Sequence, residues 1–228
     1  MSQGQTPFPP EAPPRRPSPY LMPLATKDDE RDKAWHIEGH LSQLSRYSED
    51  FFHAVALFDL AGANAQRVMS AQPASRVLFD RFIQWQFIAA RDGAMTIFHF
   101  AKSLDALKAA VSDCPPVGGH IDHDAFRAAR RAFREGFRDF EPVRHAVAHS
   151  GELSKNSKSR AKNAFSGSHS GPGIEIKNST GVMISNQLAG RTFTNTYEGK
   201  IVSYDLSWEN WATLDGIVAS ILGLFPSR

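Results

Sequence analysis

The sequence predicts a mainly helical protein: a helical bundle with a small antiparallel β-hairpin insertion before its C-terminal helix. Apolar residues recur at helical spacing through two long stretches, at about 35–66 and 75–112, and through a shorter one at 122–139. A loop rich in Pro and Gly is predicted at 115–119. Short strand-like pieces separated by turn signals come later, and after Ser207 the helical spacing returns. The strands are therefore expected inside a helical chain, before its final helix.

Two parts of the chain differ in composition from the helical stretches. Residues 1–24 hold eight of the fourteen prolines, which predicts a disordered arm. Residues 25–228 are expected to form a single domain, in which 151–206 are an insertion made of a loop and the β-hairpin. Within the insertion, 153–172 is rich in Ser, Lys, Asn and Gly and is predicted to be a mobile loop. The strands are predicted at 174–177, 182–185, 192–197 and 200–206, with turns at 178–181 and 198–199.

The overall composition excludes several classes of protein. With 41% hydrophobic and 22% charged residues, the chain of 228 residues is typical of a globular protein. Its single cysteine, Cys114, excludes an internal disulfide and a cysteine-rich zinc site. No apolar run approaches the ~20 residues that cross a bilayer, and the amino terminus lacks the apolar core of a signal peptide. We therefore expect a cytoplasmic protein with no membrane partner.

The positive charge is concentrated in one part of the chain. The net charge is only +2, but residues 127–162 carry ten cationic and four acidic side chains, a local charge of +6. Such a region attracts a polyanion. A solvated helix face followed by a solvated loop explains the same charges, so both interpretations stay open.

The most informative stretch follows the third predicted helix, where Arg144 precedes His145 directly and His149 by five positions. Arginine keeps its charge at any working pH, and its planar fork of donors matches phosphate oxygens. Histidine gives or takes a proton near neutral pH. Pro142 and Gly151 predict a short helical turn around the pair, which permits the two side chains to converge on one cleft. The pair is sufficient for chemistry on a phosphodiester without a metal or a cofactor.

This stretch resembles the R-x4-6-H motif of the HEPN superfamily, small helical proteins of which many are metal-independent ribonucleases in toxin–antitoxin, abortive-infection and CRISPR systems. The resemblance covers roughly residues 36–150 and the last helix. It implies a HEPN-like bundle, an RNA substrate, a homodimer in which both motifs face a shared cleft and, for toxin-type members, an antitoxin protein as partner. Members often carry asparagine or aspartate after the arginine, where this chain has His145.

The resemblance also implies roles for individual residues. RNA supplies its own nucleophile, the 2′-hydroxyl, so His149 would move protons and Arg144 would stabilise the negative charge that develops. His145 would orient its neighbours or contact phosphate, and the products would be a 2′,3′-cyclic phosphate and a 5′-hydroxyl. Candidate RNA-binding residues are the cations on either side of the motif: Arg127, Arg131, Arg134, Arg138, Lys155 and Lys158.

Other interpretations of the same residues stay open. Arg91 and Asp92 interrupt an apolar stretch, either as a buried or helix-surface ion pair or as supports for Arg144 or His149. The chain as a whole is alternatively a binding or regulatory module that holds RNA or a nucleotide phosphate without turnover. In a third, structural interpretation, Arg144 pairs with a nearby glutamate (Glu141 or Glu152) and His149 only finishes its helix.

Overall fold

The computed structural model describes residues 11–14 and 16–226, and within them the chain divides into two compact units. The first unit comprises His53–Met95 and Asp139–Ser207. The second comprises Ala12–Phe52, Thr96–Arg138 and the chain from Trp208 onward. The two longest helices pass from one unit into the other. That 25–228 behave as a single domain stays a prediction.

The fold is mainly helical, as predicted, with its strands before the C-terminal helix. After a 3-10 turn at Met22–Leu24, the helices in chain order are α1 Asp28–Ser70, α2 Arg76–Ser112, α3 Pro115–Gly118, α4 His123–Gly136, α5 Phe140–Ala148, α6 Ser150–Leu153, α7 Ser157–Asn163 and α8 Trp208–Leu222. The apolar periodicity correctly predicted α1, α2, α4 and α8. The predicted loop at 115–119 is wrong, because the carbonyl of Cys114 accepts bonds from the amides of Val117 and Gly118 and closes the helical turn α3.

The second unit has an aromatic interior. The ring of Phe133 stacks on Phe100 and on Phe137, with centroids 5.3 and 5.2 Å apart. Asp122 caps α4, since its carboxylate accepts bonds from the amides of residues 124 and 125. From α8, Trp208 and Trp211 meet the ring of Phe52 edge-on.

The described part of the N-terminal arm has defined contacts within the second unit. Arg16 forms an ion pair with Asp215 of α8. The side chain of Leu21 is fully buried, and its amide donates to the carboxylate of Glu38 in α1. Disorder of the arm stays a prediction, and residues 1–10 and Arg15 lie outside the described residues.

The β insertion lies in the first unit and forms two antiparallel sheets instead of one hairpin. Strands β1 (Phe165–Gly171) and β2 (Ile174–Val182) pair with each other, and the second sheet has the order β3 (Gln187–Ala189), β4 (Thr192–Tyr197), β5 (Lys200–Asp205). The β4–β5 turn at 198–199 is confirmed, with positive φ at both positions, as a tight hairpin turn requires.

Three predictions about the insertion are wrong. The mobile loop at 153–172 contains α7 and β1, because the side chain of Asn156 caps α7 by accepting from the amide of Ser159 at 2.8 Å. The turn at 178–181 lies inside β2, where Asn178 and Gly181 adopt positive φ and the strand continues past register shifts in its pairing with β1. The strand at 182–185 is absent from the described chain, since β2 ends at Val182 and β3 begins only at Gln187.

Two long-range contacts hold the insertion against the helices of the first unit. The guanidinium of Arg191 donates to the carbonyl of Leu206 at 2.9 Å, pairs with Asp59 of α1 and lies over the ring of Phe58. The hydroxyl of Tyr204 in β5 donates to the carbonyl of Ala90 in α2. No helix in the described residues is both long enough and apolar enough to cross a membrane.

The phenol of Tyr204 generates a pH prediction. Burial of the group, together with the charges of Asp92 and Asp205, raises the pKa of Tyr204 well above its ordinary value. In the unfolded chain the phenol ionises near pH ~10, so stability that is fully present below that pH is lost as pH rises toward the folded-state pKa. Tyr204→Phe is expected to cost about 0.5–1.5 kcal/mol at neutral pH. Its melting temperature should then fall less than that of the wild type between about pH 9 and pH 11.

The control for this comparison is Tyr20→Phe, because Tyr20 is exposed. Thermal melts followed by circular dichroism make the measurement. Parallel losses of melting temperature in wild type and Tyr204→Phe across the alkaline range would show that the buried phenol is not responsible.

Candidate functional site

The motif lies on α5, a short helix that is separate from α4. Pro142 is its third residue, in the first turn, where a missing amide donor costs no helical hydrogen bond. One face of α5 is buried through Val143 and Ala146, which pack with Ala94 of α2 and Val202 of β5. This packing leaves Arg144 and His145 half-buried on the remaining surface of the helix.

His149 is the joint between two helices. Its amide donates to the carbonyl of His145 at 3.0 Å and closes α5, and its own carbonyl accepts from the amides of Glu152 and Leu153 to begin α6. The predicted short helical turn is therefore present. Gly151 does not act as the stop, because it lies inside α6 and the helix changes direction at His149 instead.

The two histidines and a tyrosine form a chain of nearly parallel rings. His145 and His149 are four positions apart, which places them about 40° apart on a helix. Their ring centroids are 6.1 Å apart, with the planes inclined by 22°. The ring of His145 also stacks on Tyr197 at the end of β4, at 5.7 Å and 11°. His145 is thus the shared member of the three-ring chain.

Arg144 joins this chain through His145. Its Nη1 lies 3.3 Å from Nδ1 of His145, and its Nε is buried. Because a guanidinium has only donors, Nδ1 of His145 accepts in this contact, and the proton of the neutral ring lies on Nε2. The structure therefore connects Arg144 to His149 by way of His145, the residue to which the sequence assigned the least definite role.

His149 opens onto a groove and has a carboxylate beside it. Its side chain is 44% exposed, and its Nδ1 lies 3.6 Å from a carboxylate oxygen of Glu152. This contact favours the tautomer with the proton on Nδ1 and the lone pair on Nε2. The structural interpretation is confirmed to the extent that His149 ends α5.

The groove beside His149 is open and has a volume of about 300 Å³. Its lining combines cations, hydroxyls and one aromatic ring: His149, Glu152, Leu153, Lys155, Ser159, Lys162, Asn163 and Tyr197. Lys162 also pairs with Glu198 at 3.1 Å. The volume suits a nucleotide-sized ligand, and the two lysines favour an anionic one.

Asn163 holds the walls of the groove together. Its side-chain nitrogen donates to the carbonyls of Ser159 and Leu153, at 2.9 and 3.4 Å. Its side-chain oxygen accepts from the amide of Glu198 in the β4–β5 turn, at 3.1 Å. Asn163 is buried, so one side chain connects α6, α7 and the turn that follows Tyr197.

The predicted RNA-binding residues are distributed between the two units. Lys155 lines the groove, whereas Lys158 is exposed on α7 and does not line it. The four arginines lie in the second unit, not in the unit that carries the motif: Arg127, Arg131, Arg134 and Arg138. Arg127 pairs with Asp124 of its own helix, and Arg134 lies 3.9 Å from Asp105.

The predicted supports of the motif, Arg91 and Asp92, are both exposed, so the buried ion pair is wrong. Nε of Arg91 donates to the carbonyl of Phe87 in its own helix, at 3.3 Å. The charge of Asp92 acts on the phenol of Tyr204. A role for either residue in supporting Arg144 or His149 stays a prediction.

Sequence reasoning missed Tyr197, Lys162 and Asn163 as parts of the site. Tyr197 was identified only as the end of a strand, and no local pattern signals that a residue so far along the chain stacks on His145. Asn163 and Lys162 lay in the supposed mobile loop. The available signal was the Asn-x-x-Ser spacing at 156–159, which is typical of a helix cap.

Comparisons with protein-family models, with curated proteins and with solved structures found no match for this chain. The HEPN resemblance therefore depends on the motif residues alone and stays a prediction.

Asn163→Ala tests the construction of the groove. The substitution leaves the amide of Glu198 and the carbonyl of Leu153 without their side-chain partner, which should destabilise the protein by about 1–3 kcal/mol. Asn163→Asp keeps the acceptor for Glu198 but places a buried carboxylate oxygen against the carbonyls of Ser159 and Leu153, so a loss at least as large is expected. Chemical denaturation measures both, with the cap variant Asn156→Ala for comparison. A stability equal to that of the wild type would mean that the three bonds do not hold the groove.

Proposed function

We propose that the protein is a HEPN-like, metal-independent endoribonuclease that acts on single-stranded RNA or tRNA. The observation that carries this proposal is the continuous chain Arg144–His145–His149, which ends at an open groove lined by two lysines. A guanidinium and two imidazoles supply charge stabilisation and proton transfer, the two requirements for cleaving RNA through its own 2′-hydroxyl.

The proposed reaction is a transfer of phosphorus from one oxygen to another. Nε2 of His149 takes the proton of the 2′-hydroxyl, and the 2′-oxygen bonds to the adjacent phosphorus. The bond from phosphorus to the 5′-oxygen then breaks, and its electron pair stays on that oxygen. Nε2 of His149 then returns its proton to that oxygen, which completes the 5′-hydroxyl, and the other product is a 2′,3′-cyclic phosphate.

Arg144 has two roles in this proposal. Its contact with Nδ1 keeps the proton of His145 on Nε2, which can then donate a hydrogen bond to a phosphate oxygen. The positive charge of its guanidinium stabilises the extra negative charge on the phosphorus oxygens in the transition state. Lys155 and Lys162 bind the phosphates of neighbouring nucleotides, and Tyr197 holds the ring of His145 in its plane.

The proposed cellular setting comes from the motif's resemblance. In this setting the protein is a cytoplasmic toxin or abortive-infection protein. It forms a homodimer and is inhibited by an antitoxin protein. Arg127, Arg131, Arg134 and Arg138 of the second unit are proposed as further contacts to RNA.

A second candidate is a module that binds RNA or a nucleotide without cleaving it. The observation that favours it is the openness of the groove, in which His149 is nearly half exposed to water. Two lysines and a half-buried tyrosine ring are sufficient to hold a phosphate and a base.

Cleavage of RNA in the presence of EDTA tests the proposal. The wild type is expected to cleave tRNA and total RNA, leaving 2′,3′-cyclic phosphate ends. His149→Ala should reduce the rate by about 100-fold or more, because a general base or acid contributes at least that factor. Arg144→Lys should also reduce the rate strongly, because lysine keeps the charge but loses the donor fork.

The matched control is His120→Ala, since His120 is exposed in the second unit. Circular dichroism establishes that each variant is folded. Cleavage that survives in His149→Ala would remove His149 from the mechanism. Salt-dependent RNA binding by the wild type without any product would establish the second candidate instead.

A further inference from the structure

One face of α2 carries an exposed stripe of residues whose spacings alternate between three and four. Its members are Leu78, Arg81, Trp85, Ile88, Asp92 and Met95. The large apolar members are exposed to an unusual degree for their type: 41% for Leu78, 39% for Trp85 and 49% for Ile88. Arg81 and Asp92 are also exposed, and Met95 is half-buried.

The spacing is that of a coiled-coil seam. Positions that alternate by three and four repeat every 3.5 residues, which keeps them in line toward a partner helix. The face of α2 that packs inside the first unit is different: it presents the small residues Ala90 and Ala94. We call this exposed stripe the α2 seam. It is therefore not part of the buried core of its own unit. All of it lies within the first unit.

The α2 seam is complementary to itself when a second copy runs antiparallel. Reversal about the point between residues 86 and 87 places Trp85 opposite Ile88 of the second copy. It also places Leu78 opposite Met95. The same register places Arg81 opposite Asp92, and the two-fold symmetry repeats every pair. Apolar side chains thus meet apolar ones at the centre, and opposite charges meet on both sides of it.

The surface of the seam has a depression of the form that such a pairing needs. Ile88, Arg91, Asp92 and Met95 line an open hollow of about 330 Å³. These positions are i, i+3, i+4 and i+7, the four that form the hole for a side chain of a facing helix in a coiled coil. In the antiparallel register, Arg81 of the second copy reaches this hole. Its aliphatic stem lies on Ile88 and Met95, and its guanidinium meets Asp92.

We propose that the α2 seam is the interface between two copies of this chain, which pair as antiparallel α2 helices with Arg81 of each copy against Asp92 of the other. The pairing specifies which surface is used, and it stands whether or not the protein cleaves RNA. It differs from the shared-cleft homodimer that the HEPN resemblance implies, because α5 packs on the face of α2 that carries Ala94 and not on the α2 seam.

Charge reversal on the full-length protein tests the proposal, with analytical ultracentrifugation and light scattering as readouts. The wild type should be a dimer. Arg81→Asp places two acidic residues in each charged layer, and Asp92→Arg places two basic ones, so each variant alone should dimerise at least about tenfold more weakly. An equimolar mixture of the two variants restores opposite charges in both layers and should form a heterodimer. The double variant Arg81→Asp/Asp92→Arg should form a homodimer again.

Arg76→Asp is the matched control, because Arg76 is exposed on α2 and lies outside the α2 seam. It should dimerise like the wild type, and circular dichroism should show all variants folded. A wild type that stays monomeric up to its solubility limit overturns the proposal. It is equally overturned if Arg81→Asp dimerises as strongly as the wild type, or if the two single variants fail to associate when mixed.

Discussion

The arrangement of the candidate site depends on the small apolar cluster that fixes α5. Ala94, Val143, Ala146 and Val202 are all buried, and the four side chains come from three elements, α2, α5 and β5. Because Val143 and Ala146 are buried between Ala94 of α2 and Val202 of β5, α5 has little freedom to rotate. That constraint decides which way Arg144 and His145 point. A larger side chain at position 146 would displace α5. It would misalign the rings of His145, His149 and Tyr197 without contacting any of them.

Much of the fold followed from apolar periodicity, because α1, α2, α4 and α8 bury stripes that recur at helical spacing. The segments that escaped prediction are held by contacts between residues far apart in the chain. Asn163 bonds to the turn after β4, and no pattern in the polar stretch around it indicates that partner. Short polar helices such as α7 bury little, so their composition is that of a loop even when a cap and one distant bond hold them.

In the candidate site too, the features set by neighbouring residues were predictable from the sequence, and those set by residues far apart in the chain were not. The motif correctly predicted a short helix with His149 at its end. Five positions correspond to 140° on a regular helix, so direct convergence of Arg144 and His149 required an irregular turn. In the structure the two residues are connected through His145 instead. His145 is four positions from His149 and next to Arg144, so it can contact both. The stacking of Tyr197 on His145 depends on the β insertion and was beyond any local pattern.

One face of α2 packs inside the first unit, and the other carries the α2 seam. The charges of the α2 seam explain why the helix can carry an apolar stripe on its surface. A purely apolar seam would pair in either direction and in several registers. With Arg81 and Asp92 in line, a parallel pairing would place arginine against arginine and aspartate against aspartate, and a shifted register would leave each charge against an apolar side chain. The antiparallel register alone satisfies both. Since α5 packs on Ala94, which is not part of the α2 seam, a partner on the seam would leave the packing of the motif helix undisturbed.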